Sequence, residues 1–262
     1  MIALGIITSV FDEMKPLTHI LPKSVRHGFW QRLYRTRDRW FSPIVGCRTT
    51  RKVIALTFDD GPNPEFTPRI LEMLDQCGVK ATFFVIGQHI EAHPELLRQV
   101  VQAGHALGNH TFSHQRLVGL GVRRVADELH RCARAVYAAA KVRTTLMRPP
   151  FGEVDVLAFM TVSRMGYSLV NWSALGNDWL GDDATAVANR VIGGAYPGCI
   201  ALLHDGCGPA HPIAGMQGIS TDRMPTVQAV PMIVERLRDE GYRFVTLPQM
   251  SSEAPWARKP WL

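Results

Sequence analysis

The feature that most constrains this chain is a repeated alternation of short apolar runs with longer amphipathic stretches. Seven runs, at 53–58, 81–86, 105–109, 146–148, 169–172, 200–204 and 244–247, have strand length and the apolar character of strands buried on both faces. The intervening stretches 67–76, 94–103, 124–140 and 226–240 read as helices, and Gly78, Gly104, Gly166 and Gly241 stand as stops after helical segments. Alternation of this kind predicts an α/β fold of about seven parallel strands with helices outside, as a barrel or a doubly wound sheet. Residues 51–250 carry the pattern. Residues 1–50 read as a partly helical N-terminal extension and 251–262 as a loosely held tail. At 262 residues with 46% hydrophobic content, one core is expected.

Placed on this frame, the ionisable residues collect at one end of the strands. Asp59 and Asp60 end the first run, His110 follows the third, Arg148 ends the fourth, Asp178 follows the fifth and His204 ends the sixth. In a βα barrel those ends share one face, so residues distant in sequence converge on a single cleft.

Each motif has a plain reading and a chemical one. In TFDDGP, one of two adjacent carboxylates can bind a metal while the other remains a base, although a lone Asp-Asp-Gly cluster more commonly caps a turn. HTFSH offers His110 and His114 at i and i+4, a spacing that puts both imidazoles on one side of a helical turn; alone, it is as often coincidence. With Asp60 they make a two-His, one-carboxylate set with positions open for water and substrate. Arg148 of RPPFG can grip Asp59, or serve an ordinary salt bridge, and the Phe151 N–H is a candidate oxyanion donor. Asp178 can orient a histidine and raise its pKa, Trp179 can wall a small apolar pocket, and His204 ends a buried strand with Leu202 on the same face.

Composition narrows the alternatives. The five cysteines are odd in number and lack CxxC spacing, which indicates neither a disulfide framework nor a thiolate metal site and fits a reducing compartment. The apolar opening MIALGIITSV has no preceding basic residue and no small-residue cleavage site, so no signal peptide is read and a cytoplasmic location is expected. No apolar run approaches the roughly 18–20 residues of a membrane-spanning helix. Part of the +6 charge lies in the basic aromatic segment 26–41. The favoured reading is an amphipathic helix packing on the domain, over contact with a membrane surface or anionic glycan. No nucleic-acid motif is present, and the chain is expected to be a monomer.

Taken in order, TFDDGP, HTFSH, RPPFG, NDW and LLHDG resemble the motif series of the polysaccharide deacetylases, carbohydrate esterase family 4. The resemblance extends over about residues 51–250 and includes filler such as ATFFVIG and GYRFVTL. It implies a distorted (β/α) barrel, dependence on a divalent metal (zinc foremost, cobalt or nickel as alternatives) and removal of acetyl groups from N-acetylglucosamine units of an acetylated glycan. It also implies roles: Asp59 as base, Asp60, His110 and His114 as metal ligands, Arg148 as holder of the base, and His204 as acid with Asp178 behind it. Trp179 and Leu202 match the acetyl-methyl pocket. The chain departs from the family at Leu175, where an aspartate is frequent, and at Phe151, where tyrosine is common. The run 206–225, which contains His211, is longer than usual. Deacylation of a lipid-linked amino sugar or a small cyclic amide, and a non-catalytic carbohydrate-binding role, are the competing expectations.

Overall fold

Where the sequence carries a buried apolar run, the chain forms a parallel strand. The computed structural model describes residues 42–208 and 220–258. Ten described strands form one sheet: β1 Ile44–Cys47, β2 Val53–Asp59, β3 Thr82–Val85, β4 Ala106–Asn109, β5 Leu146–Met147, β6 Ser168–Leu169, β7 Ala174–Leu175, β8 Cys199–His204, β9 Arg243–Phe244 and β10 Trp256–Arg258. The helices are α1 Thr67–Gln76, α2 Gly87–Ala92, α3 Pro94–Gln102, α4 Val122–Ala140, α5 Val156–Arg164, α6 Ala184–Gly193, α7 Met224–Asp239 and α8 Leu247–Glu253. None of them is long and apolar enough to cross a membrane.

The seven apolar runs supply β2, β3, β4, β5, β6, β8 and β9, all in parallel pairings. Every residue of β2 is buried, as expected for a central parallel strand covered on both faces. The helices cover the sheet through apolar stripes at helical spacing: Ile70, Leu71 and Leu74 on α1, and Val125, Leu129, Cys132 and Val136 on α4.

Closure of the sheet comes from residues the alternation does not include. β1 pairs antiparallel with β8 on one side, and Ile44 bridges Val170, just beyond β6, on the other. The Asn171 N–H donates to the Ile44 carbonyl at 2.7 Å. One short strand thus joins the two ends of the parallel path into an irregular barrel. β10 pairs antiparallel with β1, and Trp256 packs partly buried against the adjoining apolar cluster. The expected loose tail is therefore corrected over 256–258, where main-chain pairing and an aromatic anchor hold it. Residues 44–47 likewise belong to the sheet rather than to an extension. The basic segment 26–41 and His211 lie outside the described residues.

Candidate active site and metal centre

The carboxyl ends of β2, β4, β5 and β8 surround a cavity of about 320 Å³, lined by Asp59, Asp60, His110, His114, Phe151 and His204 among others. Such a volume lies at the lower end of small-molecule sites.

On the β2 side, Asp59 accepts a hydrogen bond at Oδ1 from Arg148 Nη1 at 2.7 Å. Arg148 is wholly buried, and its guanidinium also donates to Thr57 Oγ1, to the carbonyls of Val170 and Asn171, and lies 4.2 Å from the Phe84 ring centroid. Burial works against its charge while Asp59 supports it. A side chain fixed by so many partners cannot move without dismantling the strand ends, so Asp59 has a set orientation with Oδ2 left towards the cleft.

Asp60 adopts a left-handed backbone, φ 75°, and both its Oδ1 and the Asp59 Oδ2 face His110 Nε2. The Asp60 Oδ1 atom lies 3.4 Å from His110 Nε2 and 3.2 Å from His114 Nε2, is buried, and accepts no hydrogen bond. His110 Nδ1 faces the Arg148 carbonyl at 2.7 Å and must donate to it, so the Nε2 of the neutral ring carries a lone pair. A lone pair and an anionic oxygen that face one another in a buried site call for a cation. The ligand atoms of Asp60, His110 and His114 lie within 4.8 Å of one another, and two imidazoles with a carboxylate form a set suited to a divalent metal. Burial opposes the Asp60 charge, but the surrounding imidazoles of His110, His114 and His204 hold its carboxyl below the usual range.

The two histidines converge by a route different from that expected. Residues 110–114 are not helical, and Thr111 and His114 have φ of 69° and 57°. Other parts of the chain take up the loop's backbone groups. The Asn109 side chain accepts from the Thr111 N–H, the Thr111 carbonyl accepts from Gly87, and Glu128 accepts from the N–H groups of Phe112 and Ser113 and from Ser113 Oγ. Those bonds replace the i to i−4 bonds a helix would make.

Across the cleft, Asp178 Oδ1 lies 2.8 Å from His204 Nδ1, while Oδ2 accepts from the His204 N–H and from Thr226 Oγ1. Because Asp178 is an acceptor, His204 Nδ1 donates and Nε2 is the nitrogen turned from it. Burial disfavours the imidazolium, but the Asp178 carboxylate foremost, with Asp60 and Asp59, raises the His204 pKa overall. Trp179 stands edge-on to the His204 ring with centroids 5.3 Å apart. With Leu202, Leu175 and Trp172 it forms the apolar wall of the cavity. Asp178 follows β7, an additional strand of two residues, rather than the fifth apolar run directly.

Phe151 lies in a short 3-10 turn, Pro150–Gly152, with φ 62°. Gly152 is required there, because a Cβ would lie 2.6 Å from the Trp172 ring. The Phe151 ring packs on His114 and carries the Arg116 guanidinium 4.6 Å from its centroid.

The structure brings together all ten sequence-predicted residues: Asp59, Asp60, His110, His114, Arg148, Phe151, Asp178, Trp179, Leu202 and His204. All but Arg148 and Asp178 line the cavity, and those two stand behind Asp59 and His204. Four supporting residues escaped the motif reading. Glu128 carries a signal, a buried charge on the apolar stripe of α4. Asp205, next to His204, accepts from Thr67 and its carboxyl is pushed up to about 7, chiefly by burial. Arg223 and Thr226 have no local sequence signal.

A family model described as polysaccharide deacetylase matches residues 47–170. A peptidoglycan-N-acetylglucosamine deacetylase of Bacillus cereus is 35% identical over 197 residues, 75% of this chain and 67% of that protein. A chitooligosaccharide deacetylase of Bradyrhizobium is 38% identical over 215 residues, 81% of this chain and 94% of that protein. A solved peptidoglycan N-acetylglucosamine deacetylase, in complex with 4-naphthalen-1-yl-N-oxidanyl-benzamide, has a TM-score of 0.74 at 30% identity, covering 82% of this chain and 95% of its own.

Proposed function

This chain belongs to the polysaccharide deacetylase family, and from that premise we propose that its cleft removes N-acetyl groups from N-acetylglucosamine-type units of a poly- or oligosaccharide, releasing acetate. It is a hydrolase of amide bonds other than peptide bonds. One observation carries the reading: an arginine-held carboxylate and an aspartate-held imidazole stand on opposite sides of a His-His-Asp cluster in one cavity.

In this reading Asp60, His110 and His114 hold zinc, which when bound supplies Lewis acidity to the amide carbonyl and to water. Asp59, kept in place by Arg148, takes a proton from the attacking water at Oδ2. The Phe151 N–H, set by its turn, faces the oxygen on which negative charge develops. His204, kept protonated by Asp178, gives its Nε2 proton to the departing nitrogen as the carbon–nitrogen bond breaks. Leu202 and Trp179 take the acetyl methyl. Water contributes its oxygen to acetate, and the sugar leaves as a free amine.

The experiment is mass spectrometry of chitin oligomers and peptidoglycan fragments after incubation with metal-loaded protein. Loss of acetyl groups that stops on chelation and returns with zinc supports the reading. Intact acetyl groups on every glycan, with metal bound, overturn it.

A further inference from the structure

Arg223 is buried, lines the catalytic cavity and has no carboxylate ion-pair partner among the described residues. Burying a guanidinium carries a large desolvation penalty unless its donors are satisfied. Here backbone oxygens take up Nε and Nη1. Nε donates to the Gly206 carbonyl at 3.0 Å, and Nη1 is shared among the carbonyls of Ser220 at 2.7 Å, Asp222 at 3.1 Å and Asp178 at 3.4 Å. These carbonyls belong to three stretches of chain: the one carrying Asp178, the one leaving His204, and the one entering α7.

Three residues further on, Thr226 donates to Asp178 Oδ2 at 2.7 Å. The first turn of α7 therefore holds Asp178 twice, by its main chain through Arg223 and by its carboxylate through Thr226. α7 is a 16-residue helix with seven buried residues, so this turn projects from a packed element. Its N-terminal end also favours the Asp178 anion.

We infer that the first turn of α7, through Arg223 and Thr226, is a positioning device that holds Asp178 and thereby aims His204 at the leaving nitrogen. The inference rests on the deacetylase reading for its kinetic consequence alone. The Arg223 hydrogen bonds go to main-chain carbonyls and not to Asp59, His204 or the Asp60, His110 and His114 side chains. A lysine cannot replace it, because a single ammonium does not span carbonyls on three stretches of chain.

The test compares the metal-loaded full chain with Arg223→Met, Arg223→Lys and Thr226→Val. One arm is low-field proton NMR of the His204 Nδ1–H held by Asp178, which needs no substrate. The other is steady-state acetate release from an N-acetylglucosamine oligomer. Both Arg223 variants and Thr226→Val are expected to lose or shift the resonance. Both Arg223 variants are expected to lower kcat, on the order of 10²-fold, as misplacement of a catalytic group does, with KM unchanged. Retention of the wild-type resonance and kcat in the variants overturns the inference. So does a raised KM at unchanged kcat, which makes Arg223 a substrate contact, or full activity in Arg223→Lys, which makes charge alone sufficient. If Arg223→Met fails to fold, Arg223→Lys and Thr226→Val decide. If wild type releases no acetate, the deacetylase reading fails, while the resonance still decides whether α7 holds the pair.

Discussion

The two sides of the cleft solve the same problem with different parts. On the base side, Asp59 and Arg148 stand at the ends of β2 and β5, and the arginine's remaining bonds go to Thr57 on β2 and to Val170 and Asn171 just beyond β6. On the acid side, Asp178 follows a two-residue strand, and besides the His204 N–H its fixation comes from the first turn of α7, 45 and 48 residues away. Regular strands thus orient the base. The acid ends a regular strand too, but the carboxylate behind it is held by the His204 N–H and by a helix end gathering irregular backbone. The base side is expected to be rigid and intolerant of change, the acid side tunable in small steps.

Arg148→Met is the harshest way to probe this contrast. It leaves Asp59 Oδ1 buried without the guanidinium that holds it, and loss of one partner from a buried pair costs about 3–5 kcal/mol. Abolished acetate release with a melting transition lowered by many degrees is expected. A stable, active variant would erase the distinction between the two sides.

Asp178→Asn is expected to leave the fold standing while lowering kcat by roughly 10²–10⁴-fold, the range for general acid–base catalysis. Its pH profile carries the sign. Burial lowers the His204 pKa while Asp178, with smaller contributions from Asp60 and Asp59, raises it to a net increase, so the acid stays protonated above the ordinary histidine value of about 6.5. Stability from this pair is present below that pH and is lost as pH rises through the folded value. Without the Asp178 charge, the alkaline limb of kcat moves to lower pH. An unmoved limb would separate His204 from the acid role.

Glu128→Gln acts on neither proton carrier. It weakens the three hydrogen bonds that hold the loop between His110 and His114, and loss of such outer support weakens metal affinity by about 10–100-fold. Competitive chelation should show this, with kcat near wild type at saturating metal.

Truncation after residue 255 is the mildest perturbation. Removing β10 and the half-buried Trp256 loses about 1–2 kcal/mol, read as a drop of several degrees in Tm with unchanged kcat. No change in Tm would return these residues to the status of a loose tail.

The same contrast explains what the sequence reveals. The parallel strands and the base side are legible because a buried parallel strand writes a contiguous apolar run, and residues at its end are named by position. Asp59, Asp60 and Arg148 fall there. The loop carrying His110 and His114 is only half legible. The spacing brings the ligands together, but two left-handed residues and the distant Glu128 replace the expected helical turn. Barrel closure by Ile44 and the hold of α7 on Asp178 leave no periodic trace. The first depends on main-chain atoms, which any residue type supplies, and the second on side chains 45 and 48 residues away in the chain.

The central claim is that Asp59 moves a proton beside a metal held by other residues. Acetate release from an N-acetylglucosamine oligomer, measured together with bound metal for wild type and Asp59→Asn, tests it most directly. The variant is expected to fold, bind the wild-type amount of metal and lose turnover by about 10²–10⁴-fold. Wild-type turnover in Asp59→Asn would contradict it.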